Sequence, residues 1–452
     1  MEVFGSSGTR GTVNESLTPA FVMDVAQAAG SVWDDDRVGI ARDTRVTGQM
    51  LADAVASGLA SVGTDIDRLG ITPTPAAQAY AERAGIPVVI VTASHNPPKF
   101  NGIKLVGSDG VGLSVDELER IEAVFLADDS QTTTWDAVGR SRRVETANDE
   151  YIEELHDAVD VDRIAEAGLT VALDPGHGAA SLTSPEFFRA LGCDVVTVNA
   201  QPDGHFPGRD PEPIPENLDD LCRLVSSTDA DLGIAHDGDG DRAVFIDETG
   251  EYMEGDATLA ALVAAELDPG ETTVSAVNVS QRLVDAVSAA DGELELTPIG
   301  STYIVSRIRE LQEQGVSVPV AGEGNGGLFF PRYRLARDGA FTAARFLELV
   351  ASRAASEIVA PYSGYHNVRV NVEYADRTER DAMLDAAAEW ARDVDAQLST
   401  TDGVRLDYGD AWVLTRASGT EPLIRLYAEA AERERAETLA ENVREALERG
   451  RK

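Results

Sequence analysis

Apolar positions along this chain fall into two alternating patterns. Short apolar runs at 38–41, 87–91, 169–173, 195–198 and 232–235 are the length of single buried strands. Around them, 17–29, 50–62 and 76–84 carry small apolar residues at helical spacing and predict helices. Strands interleaved with helices predict an α/β architecture. A further strand is predicted at 367–372. Three stretches interrupt the pattern: the polar segment 130–149, the turn-rich Asp247-Glu248-Thr249-Gly250, and 361–365. They divide the chain into four expected domains, 1–145, 146–249, 250–362 and 363–452. The segment 202–215, rich in proline and glycine, reads as a loop.

Four loops dense in glycine and polar groups each follow an apolar run. The run 88–91 leads into Thr92-Ala93-Ser94-His95-Asn96-Pro97, and 232–235 leads into Asp237-Gly238-Asp239-Gly240-Asp241-Arg242. The run 316–320 leads into Gly322-Glu323-Gly324-Asn325-Gly326-Gly327, and 412–414 leads into Arg416-Ala417-Ser418-Gly419-Thr420-Glu421-Pro422. Ligands of α/β folds bind beyond the carboxyl ends of strands. One such loop per expected domain points to a cleft built by all four.

The clearest chemistry lies at 237–241. Three carboxylates alternate with glycines that permit sharp bends, so the carboxylates can converge. Converging anions repel unless a cation sits among them, and hard oxygen ligands suit Mg²⁺ or Ca²⁺. An EF-hand does not fit: Glu248 takes the twelfth position, but Arg242 takes the sixth, where that loop needs glycine. The flanking segments also read as strands.

Ser94 stands on a tight loop whose shape is restricted by Pro97. A serine needs activation to be a nucleophile, and adjacent side chains such as His95 are expected to diverge. No Gly-x-Ser-x-Gly elbow occurs, so a hydrolase triad is not legible. A phosphate carried on Ser94 would instead place an oxygen beside the aspartates' cation. Lys104, ten residues on, is a candidate for proton transfer, a task that lysine can be tuned for and arginine cannot. The glycine-rich 322–327 formally matches a dinucleotide loop, but an extended segment ending in Pro331 follows where a helix is required. Glu323 and Asn325 are better read as groups that bond a polyol. Arg416, Ser418, Gly419 and Thr420, with Arg425 nearby, offer a guanidinium, hydroxyls and amides suited to a phosphate dianion.

Composition sharpens this picture. The 452 residues include 79 acidic against 38 basic ones, a net charge of −41, which argues against a basic patch for nucleic acid, and no nucleic-acid partner is expected. Only three of the basic residues are lysine: Lys99, Lys104 and Lys452. Such acidity at ordinary hydrophobicity resembles proteins of salt-accumulating halophiles. No apolar run is long enough for a membrane span, two cysteines make no disulfide framework, and the N-terminal residues do not read as a signal peptide. The expected location is the cytoplasm.

Together with Phe4-Gly5-Ser6-Ser7-Gly8-Thr9-Arg10-Gly11, the four loops resemble those of the α-D-phosphohexomutase superfamily: phosphoglucomutase, phosphomannomutase and phosphoglucosamine mutase. The resemblance covers essentially the whole chain. It implies four domains around a central cleft, three similar mixed α/β domains and a smaller C-terminal α+β domain. It implies phosphoserine at Ser94 and one Mg²⁺ held by Ser94, Asp237, Asp239 and Asp241. Arg10 and Lys104 would lie near the transferred phosphate. Glu323, Asn325, Arg242 and His95 would bind the sugar; Arg416, Ser418, Gly419, Thr420 and Arg425 would hold its other phosphate. The substrate implied is a hexose phosphate, with a hexose bisphosphate as activator and intermediate, and the assembly a monomer or homodimer.

Many members carry serine then histidine in the sugar loop, where this chain has Asn325-Gly326-Gly327. That looks like the archaeal type, which leans to phosphoglucosamine mutase, with phosphomannomutase or phosphoglucomutase as the alternative. A metal-dependent phosphatase and a Ca²⁺-stabilised sugar-binding protein are more remote readings of the same residues.

Overall fold

The computed structural model describes residues 3–5, 8–33, 35–418 and 423–451. Two compact units emerge: residues 1–258 with 325–359, and residues 259–324 with 360–452.

In the first unit, β1 (Thr9–Thr12), β2 (Arg37–Arg42), β3 (Asp65–Ile71), β4 (Val88–Val91), β5 (Phe100–Val106) and β6 (Ser141–Arg143) form one sheet in the order β1-β5-β4-β2-β3-β6. β2 runs parallel to β3 and β4, while β5 is antiparallel to both β4 and β1. Val38, Ile40, Val89 and Ile90 are buried, as expected of central strands covered on both faces. The helices α1 (Pro19–Val32) and α2 (Gly48–Ser61) pack closely because Gly58 has no side chain; a Cβ there would stand 2.5 Å from Met23 O. Thr18 caps α1 by accepting from Phe21 N, and Pro19 occupies its first turn.

β7 (Thr170–Asp174), β8 (Asp194–Thr197), β9 (Leu232–His236), β10 (Ala243–Ile246) and β11 (Tyr252–Met253) form the second sheet, in the order β11-β10-β9-β7-β8. β7 is parallel to β8 and β9; β10 is antiparallel to β9. Four strands repeat the arrangement of the first sheet, with β7, β8, β9 and β10 standing where β2, β3, β4 and β5 do. In both sheets the strand order reverses beside the first strand of the repeat, and this is where open α/β sheets place ligands. The serine loop leaves β4 and the aspartate loop leaves β9, the equivalent strand.

The second unit holds β12 (Thr272–Ala276), which runs parallel to β13 (Glu293–Thr297) and β14 (Ala321–Glu323), the same arrangement again. The hairpin of β15 (Gly327–Phe330) and β16 (Arg334–Arg337) belongs to the first unit. The second unit ends in β17 (His366–Glu373), β18 (Gln397–Ser399), β19 (Val404–Asp407), β20 (Ala411–Ala417) and β21 (Leu423–Ala430), an antiparallel sheet ordered β17-β21-β20-β19-β18. Helices Arg377–Arg392 and Arg433–Gly450 pack on it through Met383, Ala387, Leu439 and Val443. This is the smaller α+β domain. Buried Trp412 donates to Glu429, which also accepts from Ser280 Oγ and Gln281 N, and Arg405 lies 4.4 Å over the indole ring.

Two sequence expectations need correction. The run 316–320 is buried only over 318–320 and is not the regular strand; Val320 O accepts from the Thr273 hydroxyl, and the ladder begins at Ala321, so Glu323 closes the strand instead of standing in the loop. The segment 130–149 is not featureless. It contributes β6, parallel to β3, and opens the helix Ala147–Asp157. Ser141, Arg142 and Arg143 are all exposed, so this edge strand lacks the alternation that would announce it.

Candidate active site

The serine loop and the aspartate loop, from the two repeated sheets, meet within the first unit. Ser94, Asp237, Asp239 and Asp241 are all buried. Ser94 Oγ donates to Asp237 Oδ2 at 2.5 Å and lies 3.2 Å from His95 Nδ1. The expectation that His95 diverges from Ser94 therefore fails. Ser94 takes φ +50°, left-handed backbone that a non-glycine residue adopts only when its surroundings impose it, and this swings the two side chains together. Arg242 Nη2 lies 3.0 Å from the same His95 nitrogen. A guanidinium only donates, so Nδ1 is the acceptor and the imidazole is neutral. The charges of Arg242, burial and Arg10 push the ring down to about 2.

One carboxylate oxygen from each of Asp237, Asp239 and Asp241 falls within 4.8 Å of the others. Lys104 Nζ bonds Asp239 Oδ2 at 2.6 Å and Asp241 Oδ2 at 3.1 Å, and Arg337 Nη2 bonds Asp241 Oδ2 at 2.5 Å. Thr74 donates its hydroxyl to Asp239 Oδ2 at 2.6 Å and its amide to Asp239 O at 2.8 Å. Burial alone would raise Asp239 and Asp241. Lys104 outweighs it for Asp239, Arg337 and then Lys104 outweigh it for Asp241, and both carboxyls lie below their usual range. Asp237 is pushed up by burial and by its two acidic neighbours. Asp239 Oδ1 and Asp241 Oδ1 are buried without a hydrogen-bond partner. Three carboxylates, one of them short of compensating charge, with two orphaned oxygens: this donor set fits a hard divalent cation.

The aspartate loop is closely held. Gly240 has φ +74°, and a Cβ on Gly238 would stand 2.6 Å from Ser94 O. His236, at the end of β9, is kept neutral by burial, down to about 4; its Nδ1 bonds Arg242 O and its Nε2 bonds Ser184 Oγ.

The other expected residues are placed as follows. Arg10 is half-buried and donates to Asn96 Oδ1 at 3.1 Å, which sets it beside the serine loop. Asn325 is exposed and accepts from Gly327 N at 3.0 Å. In the second unit, Glu323 ends β14. Arg416 lies on β20, not in the loop beyond it, with its Nε 2.9 Å from Asp402 Oδ1. Arg425 is its register partner on β21, and Ser418 N donates to Leu423 O. Gly419 and Thr420 lie outside the described residues.

Sequence reasoning missed Thr74, Arg337, Asp43, Arg45 and Arg209. Asp43-Thr44-Arg45 was findable: it directly follows β2, whose apolar run is 38–41, in the position that singled out the other loops. Arg337 carries no signal, because nothing in its neighbourhood announces a carboxylate partner in another domain.

Family models for phosphoglucomutase/phosphomannomutase match the chain in order: α/β/α domain I over 1–132, domain II over 149–250, domain III over 254–365 and the C-terminal domain over 368–446. A phosphoglucomutase/phosphomannomutase of Thermococcus kodakarensis is 39% identical over 445 residues, covering 96% of each chain. A probable phosphoglucosamine mutase of Methanopyrus kandleri is 39% identical over 442 residues, covering 96% of this chain and 95% of its own. The crystal structure of a phosphoglucomutase/phosphomannomutase family protein from Burkholderia thailandensis superposes with a TM-score of 0.86 at 27% identity, covering 99% of this chain and 97% of the other. With all four domains matched in order and relatives this similar along nearly its whole length, the chain belongs to the phosphoglucomutase/phosphomannomutase family.

Proposed function

We propose that the protein is a phosphohexomutase that interconverts hexose 1-phosphate and hexose 6-phosphate through phospho-Ser94. The observation that carries this reading is the buried Ser94 hydroxyl bonded to Asp237, within a cluster of three aspartates and two cations. Asp237, Asp239 and Asp241, with an oxygen on Ser94, would hold Mg²⁺, which when bound supplies positive charge to the phosphoryl oxygens.

In the proposed step the bond between Ser94 Oγ and phosphorus breaks as a free hydroxyl of the sugar, at C1 or C6, bonds to the same phosphorus. Lys104, an ammonium in its ion pairs, gives a proton to Ser94 Oγ, and the proton lost by the sugar hydroxyl restores it. Arg10 and Arg242 add positive charge around the transferring group, which is mainly what phosphoryl transfer asks of a protein. The bisphosphorylated sugar then turns over and returns its other phosphate to Ser94. Glu323 and Asn325 bond sugar hydroxyls, and Arg416, Ser418, Gly419, Thr420 and Arg425 hold whichever phosphate is not reacting. A hexose bisphosphate serves as activator, and the protein works as a monomer or homodimer. No helix among the described residues is long and apolar enough to cross a membrane.

The names of the relatives lean towards glucosamine phosphate as the sugar. Rates on the 1-phosphates of glucosamine, mannose and glucose, measured with wild type and Ser94→Ala in the presence of a hexose bisphosphate, test the proposal. It requires isomerisation by wild type and none by the variant. Release of inorganic phosphate at the isomerisation rate would mark a hydrolase instead.

A further inference from the structure

Arg45 is 1% exposed, and its guanidinium is spent entirely on the serine loop and its support. Nη2 donates to Ser94 O at 2.8 Å and Asn96 O at 2.6 Å; Nη1 donates to Pro97 O at 2.8 Å and Phe100 O at 2.9 Å. Nε donates to Asp43 Oδ2 at 3.0 Å. The same Asp43 oxygen accepts from the Thr92 hydroxyl at 2.7 Å, and Thr92 Oγ1 in turn accepts from Ser94 N at 2.9 Å. Both backbone groups of Ser94 thus lead, through one side chain each, to a single buried carboxylate oxygen. Ser94 holds φ +50°, a conformation that costs about 1 kcal/mol or more and persists only where the surroundings over-determine it. The Asp43–Arg45–Thr92 frame bonds both the N–H and the C=O of Ser94.

The second repeat contains the same device. Asp174, at the end of β7 as Asp43 is just past the end of β2, accepts from Arg209 Nε at 2.9 Å, and Arg209 Nη2 donates to His236 O at 2.7 Å, directly before Asp237. The first frame touches the segment that leads to Arg209. Arg45 pairs by backbone bridge with Gly204, where a Cβ would lie 2.2 Å from Thr44 O, and its guanidinium lies 5.3 Å from the Phe206 ring.

We propose that Arg45 is a positioning residue for phosphoryl transfer. It would hold the Ser94 backbone in the left-handed conformation that aims Oγ at Asp237, and would fix that aim relative to the aspartate loop through the segment 204–209. This rests on the mutase reading of Ser94. Lysine, with a single ammonium, cannot reproduce a planar fork bonded to four carbonyls and a carboxylate, so Arg45→Lys removes the geometry while retaining the charge. The test measures kcat and KM for a hexose 1-phosphate in wild type, Arg45→Lys and Thr92→Val, the last deleting the bond to Ser94 N. A displaced nucleophile lowers kcat by about 100-fold and leaves KM within about twofold. A fall in kcat of less than about tenfold, or a loss carried by KM alone, overturns the proposal. Should Arg45→Lys fail to fold, Thr92→Val decides by the same criterion. An inactive wild type would instead overturn the mutase reading, so the two failures are told apart.

Discussion

Ser94 Oγ and Asp237 Oδ2 stand 2.5 Å apart although 143 positions separate the two residues. The contact joins the loop after β4 to the loop after β9, the same strand of two successive repeats. Backbone packing reinforces it: Gly238 presses against Ser94 O, and Thr74 N bonds Asp239 O. The serine and the cation-binding carboxylates are therefore one preformed structure, and disturbing either loop disturbs both.

Gly238→Ala tests that rigidity. Its Cβ would fall 2.6 Å from Ser94 O, and since backbone is the obstacle, one of the loops must move. Overpacking of this kind costs about 1–3 kcal/mol of stability. The larger effect is expected on kcat, lowered by about tenfold or more because a misaimed nucleophile loses rate faster than fold. Thermal unfolding and steady-state kinetics on the same preparation separate the two.

Asp239→Asn removes a buried charge from the cation site. Lys104 and Thr74 both bond the Asp239 oxygen Oδ2, and Oδ1 is unpartnered, so the amide keeps the shape but not the charge. Titration calorimetry with Mg²⁺ is expected to show at least about a tenfold loss of affinity, equivalent to about 1.4 kcal/mol. Unchanged affinity would remove Asp239 from the ligand set.

Away from the site, Asp67 supports the edge of the first sheet. Burial would raise its carboxyl, but bonds from Arg142, Tyr80 and Arg37 outweigh burial and hold it down at about 2. A depressed pKa gives stability that is present above the ordinary carboxylate range and lost as pH falls through the folded value. At neutral pH Asp67→Asn is expected to cost about 1 kcal/mol, because solvent screens the exposed Arg142 side of the network, and the gap from wild type should narrow as pH drops from about 4 to about 2. Denaturant unfolding of both proteins across that range checks the sign.

The net charge of −41 makes a prediction about salt. Raising ionic strength from about 0.1 M to about 1 M shortens the Debye length from about 10 Å to about 3 Å, which relieves acidic self-repulsion. The melting temperature is expected to rise across this range in KCl. A fall would argue against adaptation to high salt.

How far the sequence carried this account depended on where each signal lay. The apolar runs behind β2, β4, β7 and β9 were legible because buried strands need continuous hydrophobic residues, and the loops after β4 and β9 were legible because glycine and carboxylates cluster there. β6 was not, since an exposed Ser-Arg-Arg edge is held by its backbone ladder and by Arg142's bonds to Asp67, neither of which leaves an apolar pattern in the sequence. The proximity of His95 to Ser94 depends on a positive φ that no residue type at 94 advertises. Arg45 had a positional signal just past β2, but Arg209 had none, because a buried arginine that bonds carbonyls resembles, in sequence, any other arginine of a loop. Arg337 shows the general limit: its partner Asp241 is brought to it only by the completed fold.

The most direct test is to find the phosphate. The chain is incubated with a hexose 1,6-bisphosphate, and intact and peptide masses are measured for wild type and Ser94→Ala. One phosphate per wild-type chain, localised to Ser94 and absent from the variant, is the predicted result. Mutase turnover by a wild-type protein that never carries phosphate on Ser94 would contradict the account.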